Sequence, residues 1–158
     1  MSTFTILLLI FVLVLFAYLF LIEKEIIFKS RRKSTSFYLI LALGVGTIVL
    51  VGLNPTTLDE NVRGILAGLI ILSFLIDAKG FAENHISINA MDKKGIPYAE
   101  VDRIVLLKTK NQVKVNFFRR GMRGPLFVLN EPLEEIVAFL ATHLKEGTPI
   151  DILLDEKK

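Results

Sequence analysis

Lys29-Ser30-Arg31-Arg32-Lys33 lies between two long apolar runs, at about residues 4–22 and 37–53, and a third apolar run follows at about residues 62–76. An apolar run of roughly 20 residues is long enough to cross a hydrocarbon core about 30 Å thick. Cationic loops stay on the cytoplasmic side. Lys24, Lys29, Arg31, Arg32 and Lys33 therefore place the first loop inside and the N-terminus outside.

The first run carries no Lys or Arg ahead of it and no small-x-small cleavage site behind it. This favours an uncleaved anchor over a signal peptide. Asn54-Pro55-Thr56-Thr57 ends the second run, since proline cannot continue a helix. The loop from Asn54 to Asn61 holds Asp59 and Glu60 and no Lys or Arg, so it is expected outside. The third run is short, and a buried or re-entrant helix is its alternative reading. Asp77 and Lys79 close it. A third crossing returns the chain to the cytosol. The expectation is thus a multi-pass cell-membrane protein, with an anchor over residues 1–79 and a cytosolic domain over residues 80–158.

Composition agrees with two parts. Of the 158 residues 53% are hydrophobic, above the roughly 45–50% of an ordinary soluble domain, and the excess sits in the first half. The formal charge of +3 supplies no concentrated basic face of the kind nucleic-acid binding needs. The chain has no cysteine, which removes disulfides, thiolate metal sites and thiol catalysis. Gly64 and Gly68 form a GxxxG pattern, and Ala42 and Gly46 form a small-xxx-small pair with Gly44 beside them. Such spacing lets helices approach closely in lipid, either with one another or with a membrane-protein partner or a second copy.

Past Gly80 the hydrophobic period changes. His85–Ala90 alternates as a half-buried strand does, Met91–Gly95 reads as a turn, and Ile96-Pro97-Tyr98 leads into a strand over 101–108. Residues 110–112 and 120–124 read as turns that flank a strand starting at Val113, and 126–129 reads as a further strand. Short connections predict an antiparallel meander. Asn130 is the expected N-cap of a helix whose Leu133, Ile136, Val137, Leu140 and Leu144 share one face. Ile150–Leu154 reads either as a last strand or as a loose tail.

His85-Ile-Ser-Ile88, Gly95-Ile-Pro-Tyr-Ala-Glu-Val-Asp-Arg-Ile104, Val113-Lys-Val-Asn-Phe-Phe118 and the 131–145 helix together resemble the pleckstrin-homology (PH)-like tails of small bacterial multi-pass membrane proteins. The resemblance covers about half the chain. It implies an α+β domain, with an antiparallel PH-like sheet closed by one C-terminal helix, that serves as a binding or scaffolding module. The chain departs from the PH pattern in having no tryptophan and fewer predicted strands.

Lys108, Lys110, Lys114, Arg119, Arg120 and Arg123, with Lys93 and Lys94, are candidates for a basic rim. Such a rim would meet anionic lipid or form a solvated hairpin surface. Lys29, Arg31, Arg32 and Lys33 would touch headgroups besides setting topology. Phe118 departs from the apolar face of its strand. Insertion at the membrane interface, contact with the anchor and burial on both strand faces each explain it. His85 and His143 lack metal-ligand spacing, and no HExxH, GxSxG or phosphate-binding glycine loop occurs. The residues thus predict no catalytic site, metal or cofactor. They predict a non-enzymatic module presented to a protein partner or lipid headgroups. An accessory subunit of a larger membrane transport or envelope-synthesis complex is the alternative.

Overall fold

The structure, a computed structural model, describes residues 1–76 and 78–155. Asp77, expected to close the third apolar run, and the terminal residues 156–158 lie outside the described residues. The chain forms two compact units, and one cut does not divide them. Met1–Glu23 and Arg32–Asp77 make the first unit, and Lys24–Arg31 joins Ala78–Lys158 in the second. The expected boundary near residue 79 therefore misses a piece of the folded domain lying between the first two helices.

The first unit holds α1 (Thr3–Glu25), α2 (Ser34–Leu53) and α3 (Leu58–Ser73). At 1.5 Å per residue, α1 and α2 are about 34 and 30 Å long and α3 about 24 Å. Two helices, α1 and α2, are long and apolar enough to cross a membrane. The third expected segment starts earlier than the hydropathy suggested and is helical only to Ser73, 16 residues in all. By length it falls short of a full crossing. Its start is set by Thr57, whose hydroxyl accepts from the Glu60 amide at 3.3 Å while Glu60 accepts in return from the Thr57 amide. This reciprocal cap outweighs the polar character of Asp59 and Glu60, which sit in the first turn where acidic groups are favoured.

Glycines bring α2 and α3 together. A Cβ on Gly68 would lie 2.5 Å from Ile48 Cγ1 and 3.1 Å from the Gly44 carbonyl, so only hydrogen fits. Gly64 similarly abuts Val51, and Gly44 abuts Leu72. On α1 the buried residues Thr5, Val12, Leu19 and Ile22 recur at heptad-like spacing along one face. The Ser2 amide donates to Asp59 Oδ1 at 2.8 Å, which sets the start of α1 beside the start of α3.

In the second unit β1 (Ile26–Lys29) follows α1 without a linker. It opens an antiparallel sheet of order β1-β2-β3-β4 with β2 (Gly80–Ala82), β3 (His85–Ser87) and β4 (Ile96–Pro97). A single 3-10 turn at Tyr98–Glu100 leads to β5 (Val101–Lys108), β6 (Val113–Arg119), β7 (Met122–Arg123) and β8 (Phe127–Leu129). Then come α4 (Leu133–His143) and β9 (Ile150–Leu154).

The second sheet has the order β7-β6-β5-β9, with β8 also on β6. Two expectations are corrected here. The strands form two open sheets in place of one, and β9 runs parallel to β5, with Ile104 opposite Ile150 and Lys108 opposite Leu154. The crossover through α4 supplies the length that a parallel pairing requires. Pro132, not Asn130, occupies the cap position of α4, and no side chain caps that end. Both sheets and the Ile136–Leu140 face of α4 share one core, in which Phe81, Ile104, Phe117, Phe127 and Ile136 are fully buried.

Candidate functional site

The second unit is fastened where the chain leaves it. Phe28, 8% exposed, enters the common core and meets the Phe139 ring edge-on, with centroids 5.0 Å apart. Lys29 stands opposite Gly80. Beyond the strand, the Ser30 amide donates to the Lys79 carbonyl at 2.8 Å, and the Arg31 amide to the Val128 carbonyl at 2.7 Å. The buried Ser30 hydroxyl accepts from the Val128 amide at 3.1 Å. Three successive residues of the basic loop thus supply backbone or side-chain partners to β2 and β8. Burying these polar groups unpaired would cost about 1–3 kcal/mol each, so the loop has one register.

This placement changes the reading of the basic residues. Lys29, Arg31 and Lys33 are exposed. Arg32, in the first unit, donates from its guanidinium to the Phe74 carbonyl. Lys29 and Arg31 belong to the folded domain, a role that the charge pattern alone did not suggest. The detectable signal was Ile26-Ile27-Phe28, an apolar triplet inside an otherwise polar loop.

The structure does not gather the remaining candidates into one rim. β5 and β6 run antiparallel, with Lys108 opposite Val113 and Val101 opposite Arg119. Lys108 and Lys110 sit at the hairpin end, and Arg119, Arg120 and Arg123 sit at the other end, about 20 Å away along the strand. Lys114, opposite Leu107, lies one pair from the hairpin end and is half-buried. Lys93 and Lys94 are exposed on the turn between β3 and β4.

Near Lys108 and Lys110 an open recess of about 220 Å³ is lined by Gln112, Asn130, Glu131 and the first turn of α4. At the opposite end Arg119 pairs with Glu100, and Arg123 Nε donates to Asn116 Oδ1 at 3.0 Å. Phe118 is half-buried on the sheet face that also carries Arg103 and Arg123, its cross-strand partners. Of the small residues, Gly64 and Gly68 face α2, Gly46 has open space beside it and Ala42 is exposed. Gly44 makes the approach to Gly68.

His143 stacks on Phe139, with ring centroids 3.9 Å apart, and its Nδ1 lies 2.8 Å from the Phe139 carbonyl. Tyr98 joins this aromatic group and donates from its hydroxyl to the Ala82 carbonyl. Burial pushes the Tyr98 phenol well above its ordinary value. Among the described residues no group of three or more His, Asp or Glu is arranged to hold a metal ion. No protein-family model matches the chain, and no curated protein or solved structure matches it.

Proposed function

We propose that this chain is a non-enzymatic integral membrane protein that crosses the cell membrane three times and holds a small PH-like module at the cytosolic face, for binding lipid headgroups or a protein partner. One observation carries the reading: Ile26–Lys29 forms a strand of the same folded unit as the C-terminal residues. The loop between α1 and α2 and the chain after α3 must then lie on one side of any membrane. If α2 crosses, the α3 segment and the turn after it must bring the chain back. A bilayer accommodates a short segment by local thinning at modest cost. The hydrogen bond from Ser2 to Asp59 joins the start of α1 to the start of α3, which supports an N-terminus on the far side. The basic loop supports a cytosolic position for the folded unit.

Anchoring raises the local concentration of such a module at membrane targets. The exposed Ala42 and the open space beside Gly46 favour one second reading, in which α2 offers this face to a larger membrane complex as an accessory subunit. Two fusions at the C-terminus test the topology. Fluorescent-protein signal is expected, and active alkaline phosphatase there would overturn the cytosolic assignment. Isolation in mild detergent then separates the functions: a stoichiometric membrane-protein partner identifies the subunit reading, and its absence with retained lipid binding identifies the module.

A further inference from the structure

Short length, proline, bulges and charged residues discourage an outside strand from adding to a sheet edge, and four edge strands of the second unit are guarded. β4 is two residues long and ends in Pro97. β7 is two residues long and contains Arg123. β1 has a register irregularity between Ile26 and Phe28 and ends in Lys29. On β8 the Val128 amide and carbonyl are taken by the Ser30 hydroxyl and the Arg31 amide. β9 differs. It runs for five residues in unbroken one-to-one register with Ile104–Lys108, and holds no Pro, Lys or Arg. Its one charged residue, Asp151, is paired within the chain, Arg103 Nε donating to Asp151 Oδ2 at 2.6 Å.

The ladder fixes which backbone groups of β9 are left over. The Ile104 amide donates to the Pro149 carbonyl and the Asp155 amide to the Lys108 carbonyl, both at 3.0 Å. Alternation along a parallel ladder then turns Asp151 and Leu153 toward β5, and aims the amides and carbonyls of Ile150, Ile152 and Leu154 away from it. Among the described residues no strand lies on that side. The side chains of these three residues share the face of Ile104 and Leu106, which are fully buried. Ile150 packs against the core, whereas Ile152 is 46% and Leu154 64% exposed. The core face of the sheet thus outruns its cover along the same edge whose backbone is unpaired.

A strand that fills this edge must present outward backbone groups at alternate residues, apolar side chains at those same residues, and no opposing charge. β9 itself meets all three conditions. Antiparallel pairing about a two-fold axis at Ile152 sets Ile152 opposite its own counterpart and Ile150 opposite Leu154 of the other copy. Outward residues then meet outward residues, and Asp151 falls opposite Leu153, so no like charges face each other. An axis at Asp151 or Leu153 would instead match residues whose amides bond to β5. We propose that β9 pairs antiparallel with β9 of a second copy of this chain, joining two five-stranded sheets into one and extending the apolar row of Ile150, Ile152 and Leu154 across the axis. So short a contact is at the small end of specific interfaces, and the pairing is reversible. The inference uses the second unit alone and does not depend on how often the helices cross a membrane.

The chain lacks cysteine, so introduced thiols report single positions. The full chain in mild detergent is oxidised with copper phenanthroline as Ile152→Cys, as Leu153→Cys, and as a mixture of Asp151→Cys and Leu153→Cys chains bearing tags of different size. Opposed Cα atoms are about 5.5 Å apart in a hydrogen-bonded pair and about 4.5 Å apart in a non-bonded pair, both within disulfide reach. The two copies of Leu153 lie diagonally, about 7–8 Å apart, beyond that reach. Ile152→Cys should therefore cross-link about tenfold faster than Leu153→Cys, and the mixture should form the mixed-tag dimer ahead of either like-tag one. Ile152→Lys added to both chains of the mixture opposes two ammonium groups at the axis and should slow that dimer about tenfold. Ile152→Pro, which removes only an outward amide, is the second block, and circular dichroism checks that both variants fold. Equal rates at 152 and 153 signal random collision and overturn the pairing. A Leu153→Cys dimer that forms fastest overturns the register. Absence of cross-linking at every position overturns the second copy as the occupant and leaves the edge to a strand of another protein.

Discussion

The Ser30 hydroxyl accepts a hydrogen bond from the Val128 amide, 98 positions further along the chain, at 3.1 Å. Between the two lie α2, α3 and most of the strands of the second unit. The domain is therefore assembled around a helical hairpin inserted between β1 and β2. A C-terminal fragment beginning at residue 78 lacks β1 and leaves the Phe28 site empty. Its stability should fall by about 3–5 kcal/mol, the cost of removing a large core aromatic. A spliced chain that begins at Lys24 and joins Arg31 to Ala78 by a short glycine-containing turn should fold cooperatively, because Ser30 and Lys79 are already hydrogen-bonded neighbours. Urea unfolding of the two proteins decides the matter, and equal midpoints would refute the insertion.

Within that spliced protein, Ser30→Ala leaves the Val128 amide without its partner. The site is buried, Ser30 being 5% exposed, so a loss of about 1–3 kcal/mol is expected. Phe28→Leu should cost less than Phe28→Ala, since leucine retains part of the volume against Phe139. Chemical denaturation measures both.

Gly80 has a φ of +155°, and a Cβ there would fall against the backbone carbonyl oxygen of Phe28. Backbone cannot swing aside as a side chain can. Gly80→Ala should therefore break the β1–β2 ladder and expose the β1 amides to hydrogen exchange. Gly121→Ala also sits at positive φ but meets nothing within 4 Å, so it should cost only about 1 kcal/mol. Retained protection of β1 in Gly80→Ala would count against the pairing.

In the helical unit, Gly68→Leu must displace Ile48 and meets the Gly44 carbonyl. The α2–α3 contact should open and the melting temperature in detergent should drop. Gly46→Leu, with open space beside it, should leave melting unchanged. A loss of a co-purifying partner in Gly46→Leu alone would support the accessory-subunit reading.

The spliced protein contains Tyr98 as its single tyrosine, the other two being Tyr18 and Tyr38. Burial raises the folded pKa of Tyr98 above the unfolded value of about 10. The native state then holds its proton where the unfolded chain has lost it. The Tyr98 contribution should be constant below about pH 10 and fall as pH rises above it. Tyr98→Phe should flatten that decline while losing the hydrogen bond to Ala82, about 1 kcal/mol at neutral pH. Tyrosinate absorbance during alkaline titration follows the group directly, and ionisation near pH 10 in the folded protein would contradict the burial.

Hydropathy along the chain determined where the long helices lie, because a run such as Phe4–Ile22 has no amphipathic alternative in water. Period-two alternation likewise located β3 and β6, and the apolar stripe from Leu133 to Leu144 located α4. These signals are local: each residue's preference depends on neighbours within one or two turns. β1 escaped this reading because four residues between charged groups carry too little periodicity to stand out. Its partners, Gly80 to Ala82, lie beyond the inserted hairpin. The parallel placement of β9 and the split of the basic residues between two ends of β5 and β6 were hidden for the same reason. Pairing register and direction arise from contacts between segments remote in sequence, and the free energy of the shared core selects them only once the whole chain has closed.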